Sequence, residues 1–298
     1  MKKILVLLIT ITLLVGCTKE EKKDEKVDIF IKNDMIFQVN KELDEFAVNN
    51  VITLINNIKT NYLKSNKIYY SIIPDKNYYM ENSYDKYDYN KLVSIFKDNL
   101  DYKYIDIFND LSIDSYYNTD IHWKQEKLEN VTNTLLTNMG LNKITMPNKV
   151  NEYNNFYGGL YNKIDNNLKP DKITYLSNNL LDNIKVYNMV EDKYDTVYNT
   201  SYLSNKDPYD VYMGGPTSVL VIENKNQKNG RELLLFRDSF SSSLVPLMID
   251  SYSKITMIDL RYISSKMLGE FDTIKFNEKQ DVLFLYSVPI INNSFILK

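Results

Sequence analysis

The sequence predicts an α/β protein built on a mostly parallel sheet flanked by helices. Short apolar runs at 218–222, 232–236, 255–260 and 282–286 have the composition of strands buried on both faces of a parallel sheet. Segments with helical spacing fall between them, the alternation expected of an α/β chain. No internal repeat and no Pro/Gly/Ser-rich stretch divides residues 29–298, so a single domain is expected there.

Taken in order, apolar residues at helical spacing (Leu43, Phe46, Ala47, Val51, Leu54, Ile55, Ile58) predict a helix over 39–63. The strand 67–73 follows and ends at Pro74-Asp75-Lys76. A helix is expected over 91–100 and a strand over 102–108. Leu128, Val131, Leu135 and Leu136 share one face of a helix over 124–139, with Gly140 at its end. Residues 141–216, rich in Asn and Tyr, read as an irregular insertion over one end of the sheet. The strand 218–222 then opens a final series, with a helical length at 241–252 inside it.

Composition narrows the chemistry. With 44% hydrophobic and 25% charged residues the chain is globular, and a formal charge of −3 leaves no basic footprint for nucleic acid. A single cysteine excludes a disulfide framework, a thiolate zinc site and an iron–sulfur cluster; a single histidine excludes a multi-His metal centre. Eight glycines build neither a dinucleotide fingerprint nor a phosphate loop, and no cofactor or metal is expected. The 25 tyrosines accompany abundant Asn, Lys and Ile, a bias that AT-rich codons alone produce.

The N-terminus reads as an address. Lys2-Lys3 precedes an apolar run over 4–15, too short to span a bilayer comfortably, and Leu14-Val15-Gly16-Cys17 resembles the bacterial lipobox. Residues 1–17 are therefore expected to be a lipoprotein signal ending at a lipidated Cys17, and the charged run 18–28 a tether. This places domain 29–298 at the outer face of the cytoplasmic membrane, away from ATP and NAD(P)H. Hydrolases, group transferases and binding proteins fit that compartment.

The strand 232–236 runs through Arg237-Asp238 into Ser239, where a helix begins. A serine on such a turn presents its hydroxyl at a helix N-terminus, beside free N–H groups that stabilise a developing oxyanion. Helix capping by Asp238 or Ser239 is the structural alternative. The lone His122 lies two residues after Asp120 and just before Trp123. On extended backbone, positions i and i+2 point the same way, so Asp120 would orient the imidazole and Trp123 would shield the pair. The alternative is a lone histidine, either exposed or satisfied within the core. All three arginines (Arg231, Arg237, Arg261) fall within 31 residues around Ser239, suiting either a carboxylate of a bound ligand or internal partners such as Asp238 and Asp259.

Asp120-Ile121-His122-Trp123, followed by Arg237-Asp238-Ser239-Phe240, resembles the DHHW family, related to the alginate O-acetyltransferase extracytoplasmic components. Residues 73–76, 156–158, 212–215 and 258–262 extend the likeness over roughly 29 to 290. The resemblance implies an SGNH-hydrolase-like fold, with Ser239 as nucleophile, His122 as base and Asp120 as orienting acid. It also implies acetyl transfer to a polysaccharide hydroxyl, with a multi-spanning membrane O-acyltransferase as acyl donor. Gly215, Arg237, Arg261 and Trp123 are the oxyanion or substrate candidates. Two positions depart from the pattern: Ile121 replaces the first His, and Pro216 stands where a polar oxyanion donor is expected. A carbohydrate acetylesterase with the same triad, or a non-catalytic polysaccharide-binding lipoprotein, are the alternatives.

Overall fold

The computed structural model describes residues 28–40, 42–81 and 86–298, so the expected signal, Cys17 and nearly all of the tether lie outside the described residues. In chain order the elements are β1 (Ile29–Lys32), β2 (Met35–Gln38), α1 (Glu45–Tyr62), β3 (Lys67–Ile73), α2 (Tyr89–Asn99), β4 (Lys103–Tyr104) and α3 (Glu129–Asn138). Then come β5 (Lys149–Phe156), β6 (Asp171–Ser177), α4 (Asn179–Asn183), β7 (Lys185–Asn188), β8 (Lys193–Thr196) and β9 (Val219–Glu223). The chain closes with β10 (Glu232–Arg237), α5 (Ser241–Met248), β11 (Lys254–Ile258), β12 (Gln280–Ser287) and α6 (Val288–Asn292). No helix among the described residues is long and apolar enough to cross a membrane.

Eight strands form the main sheet in the order β4-β3-β12-β10-β11-β9-β7-β8. The first five are mutually parallel, and β9, β7 and β8 extend the sheet by antiparallel pairing. Alternate residues feed two cores. Leu233, Leu235, Leu283 and Leu285 pack with α3 and α5 on one face; Leu234, Phe236, Val282 and Phe284 pack with α1, α2 and α6 on the other. Burial on both faces makes these strands continuously apolar.

The structure corrects the sequence reading in several places. The first helix starts at Glu45, not 39, because the Asp44 carboxylate caps it by accepting from Phe46 N (2.9 Å) and Ala47 N (3.1 Å). Phe46 is 65% exposed and leaves the apolar stripe. The strand over 102–108 shortens to β4: Asp106 accepts from Phe108 N (3.0 Å) and turns the chain into a 3-10 turn. The helix over 124–139 divides into a 3-10 turn at Gln125–Lys127 and α3, since the buried Gln125 side chain is held by Ser243 O (2.7 Å) and Leu176 N (2.7 Å). The helix over 241–252 ends at Met248 and continues as a 3-10 turn. The strand over 218–222 exists as β9 but runs antiparallel to β11, because burial on both faces carries no information about direction. Within 141–216, β5 and β6 form a hairpin, while β7 and β8 join the main sheet. The β1–β2 hairpin, turned at Asn33 and Asp34 with φ of 50° and 59°, was not anticipated from the sequence.

Parallel strands bring their carboxyl ends to one edge, where Pro74-Asp75-Lys76, Asp238-Ser239, Asp259 and Ser287 collect. Arg231 lies at the opposite edge. It donates to Met139 O (2.8 Å) and Gly140 O (3.0 Å) at the end of α3 and pairs with the buried Asp281. Arg231→Met strands that carboxylate and two carbonyls, and is expected to lower unfolding free energy by about 2–3 kcal/mol in urea titrations.

Candidate active site

Asp120, Ile121 and His122 lie on a tight loop closed by backbone bonds from Tyr117 N to His122 O (3.1 Å) and from Lys124 N to Ser115 O (2.7 Å). Extended backbone does not carry the Asp–His pair, as the sequence suggested. The loop is bent, and one carboxylate oxygen of Asp120 accepts from both His122 N (2.9 Å) and Nδ1 (2.5 Å). On the far side of the ring, His122 Nε2 stands 2.8 Å from Ser239 Oγ. Asp120, His122 and Ser239 thus form one hydrogen-bonded line, although His122 and Ser239 are 117 positions apart in sequence.

Neighbouring segments hold the loop in place. Asp171 on β6 accepts from Asn118 N (2.9 Å), Thr119 N (2.7 Å) and Thr119 Oγ1 (2.6 Å). Thr119 Oγ1 in turn accepts from Gly158 N (2.9 Å), and Gly159 N donates to the second Asp120 oxygen (2.7 Å). A Cβ on Gly158 would lie 2.3 Å from the Asp120 Cβ, so this approach requires glycine. From below, the buried Lys76 ammonium donates to Asp120 O (2.8 Å) and Tyr117 O (3.1 Å). The Tyr209 ring stacks on the imidazole at 4.0 Å and 9°, with Phe240 tilted against it at 4.9 Å.

Burial by itself would raise the Asp120 carboxyl. The His122 charge, its ring and backbone N–H bonds and the Gly159 N–H outweigh it and hold the group well below the usual carboxylate range. Asp120 therefore stays ionised and fixes the proton on Nδ1, which leaves Nε2 able to accept from Ser239.

Ser239 is half-buried on the turn between β10 and α5. Neither Asp238 nor Ser239 caps α5 with its side chain: the Asp238 carboxylate instead closes the preceding turn, accepting from Phe240 N (3.1 Å) and from Ser287 N at the end of β12 (2.7 Å). The Ser239 hydroxyl is thereby left to His122. Beside it lies a cavity of about 70 Å³, whose walls include Ile121, Phe240, Pro289, Ile290 and Arg261.

The remaining candidates divide. Trp123 is fully buried, and its indole N–H is used by Phe240 O (2.9 Å) and Ser243 Oγ (3.0 Å), so it pins α5 to the His122 loop and reaches no substrate. Arg237 is likewise internal, donating to Ser242 Oγ (3.1 Å) and facing Asp259 at 4.0 Å. Arg261 lines the Ser239 cavity but is clamped by Asp259 through Nε (2.9 Å) and Nη2 (2.6 Å). Arg231 is a strand length away, so the arginine cluster reports internal pairing at two edges of the sheet. Gly215 has φ of +81°, and a Cβ there would meet the Asp210 carboxylate at 2.6 Å. Sequence reading missed Tyr209, Asp171 and Gly159. The Gly158-Gly159 pair was a signal in a chain with eight glycines, whereas nothing marked Tyr209 among 25 tyrosines.

Burial draws the Lys76 ammonium down to about 7, against the attraction of Asp120, Asp171 and Asp75. A folded value below that of free lysine means the unfolded chain binds this proton more tightly. The Lys76 contribution to stability therefore rises from about pH 7 to about pH 10. Lys76→Met, which strands the loop carbonyls, is expected to cost about 1–3 kcal/mol at pH 9 and less at pH 6 by urea unfolding. The reverse trend would refute this account of the loop.

The same fold is found in a DHHW family protein from Eubacterium siraeum, with TM-score 0.71, 21% identity and coverage of 89% of this chain and 94% of that one. Bacillus cereus PatB1, solved with a sulfonyl adduct, matches with TM-score 0.70, 18% identity and coverage of 89% and 96%. The O-acetyltransferase domain of Pseudomonas putida AlgJ matches with TM-score 0.56, 12% identity and coverage of 89% and 92%. No protein-family profile and no curated protein sequence matches the chain. The mostly parallel α/β fold that the strand pattern predicted is thus shared with a DHHW family protein and an O-acetyltransferase domain.

Proposed function

We propose that the chain is an extracytoplasmic O-acetyltransferase that modifies a cell-surface or secreted polysaccharide through an acetyl-Ser239 intermediate. The observation that carries this reading is the continuous line from Asp120 through His122 to Ser239 Oγ. The shared fold with an O-acetyltransferase domain supports it. Lipidation of Cys17 would anchor the domain at the outer face of the cytoplasmic membrane, where a multi-spanning O-acyltransferase delivers the acyl group.

In the first half-reaction His122 Nε2 takes the Ser239 proton as Oγ attacks the acyl carbonyl. The Ser239 N–H and the Gly215 N–H are the proposed donors to the oxyanion, in place of the side chain that Pro216 lacks. Collapse breaks the bond to the donor, whose leaving oxygen receives the proton from His122. In the second half-reaction His122 deprotonates a sugar hydroxyl, which attacks the acetyl-serine; collapse releases the ester and returns the proton to Ser239. Asp120 remains ionised throughout and stabilises the imidazolium.

Incubation of the full chain with p-nitrophenyl acetate should add one acetyl group, mapped to Ser239 by peptide mass spectrometry. Ser239→Ala and His122→Ala should abolish the adduct, and Asp120→Asn should slow its formation by about 10³-fold or more. Turnover of the adduct to free acetate, with added polysaccharide left unmodified, would make the protein an esterase. A folded chain that forms no adduct, or three variants that match the parent, would overturn the assignment.

A further inference from the structure

The largest groove among the described cavities lies far from Ser239, and the proposed chemistry does not use it. Its volume is about 1050 Å³, at the upper limit of small-molecule pockets, and it runs over the antiparallel end of the sheet. It sits where β7 and β11 begin and β9 ends, about 20 Å along the strands from the serine edge.

Cross-strand register lays out its floor. Tyr194 on β8 faces Tyr187 on β7, Tyr187 faces Val221 on β9, and Val221 faces Thr256 on β11. The two tyrosine rings touch at 5.1 Å, Tyr187 is held by its hydroxyl bond to Asp192 (2.8 Å), and Tyr194 is 70% exposed. Two residues along the strands, on the same face, stand Lys185, Glu223 and Lys254, with Lys225 just beyond. Lys275 is neutralised by Asp272 (2.8 Å), but Lys185, Lys225 and Lys254 have no ion-pair partner among the described residues. Against two carboxylates without an ion-pair partner, Glu223 and the Asp192 that holds Tyr187, the three lysines leave a local positive excess in a chain of net charge −3.

A rigid aromatic floor beside a rail of free ammonium groups complements a polymer with flat apolar ring faces and regularly spaced negative charges. We propose that this groove is a second, non-catalytic binding site for an anionic polysaccharide strand. The assignment goes beyond the acetyl-serine reading and is tested separately from it. Polygalacturonate carries carboxylates and yeast phosphomannan carries phosphates, so the two probes distinguish the source of the charge.

Binding of both probes to the full chain is measured by biolayer interferometry, with neutral mannan as control. At least one anionic glycan should bind, with affinity falling as salt rises, and mannan should not. Tyr194→Ala and Lys254→Glu should each raise Kd about tenfold or more, while Ser239→Ala leaves binding in place. Both groove variants should still form the acetyl-Ser239 adduct at the parent rate. Equal binding of mannan, binding that survives both groove substitutions, or no binding at all would overturn the proposal. So would a dimer in sedimentation that Tyr194→Ala dissociates, since the face would then be a contact between copies of the chain.

Discussion

The site depends on one buried carboxylate. Asp120 is 3% exposed, yet burial does not neutralise it, because the His122 ring, the His122 backbone and Gly159 all donate to it. An ionised group at that depth requires such a set of donors, and each donor places a demand on the chain that supplies it. The bent loop supplies two, and the glycine pair after β5 supplies the third. Asp171 and Lys76 keep the loop where those donors converge, one from each side. Removing any of these contacts acts on the Asp120–His122 pair through the Asp120 carboxylate, even where the residue itself does not touch the imidazole.

Ser239 is positioned by an independent set of constraints. Asp238 bonds across to the end of β12, tying the turn that carries Ser239 to the neighbouring parallel strand. Asp259, at the end of β11, gathers Arg237 and Arg261 beneath the same turn. These charges are buried together, so their value lies less in stability than in fixing one arrangement of the strand ends. Trp123 then joins the two halves of the site, since its indole N–H reaches from the histidine loop to α5. The sheet itself is divided in use. Its parallel part delivers Ser239 to the histidine loop at one edge, and its antiparallel extension forms the lysine-flanked tyrosine floor at the other.

Much of this was legible from the chain alone, for reasons that residue identity makes plain. A protein with one histidine leaves no choice of imidazole, and Asp120 and Ser239 stand in local patterns that suit its partners. The strands β3, β10, β11 and β12 were readable because burial on both faces demands uninterrupted apolar runs. The same property hid the direction of β9, whose residues are buried in the same way whether it runs parallel or antiparallel. Tyr209 was illegible for the opposite reason, being one aromatic among many in a biased composition. Of the two readings of the arginine cluster the internal one holds, and β10 carries Arg231 and Arg237 to opposite edges, each facing its own aspartate.

The sequence by itself determined the class of fold and which aspartate, histidine and serine could be partners. These follow from composition, periodicity and short motifs, which are local properties. The tertiary structure decided that the three residues meet, that Asp120 stays charged, that Trp123 and Arg237 serve the interior, and that a groove lies at the far edge. Each of those outcomes depends on which segments pack together and at what depth, and the energy of a buried charge or an unpaired ammonium is set by neighbours distant in sequence.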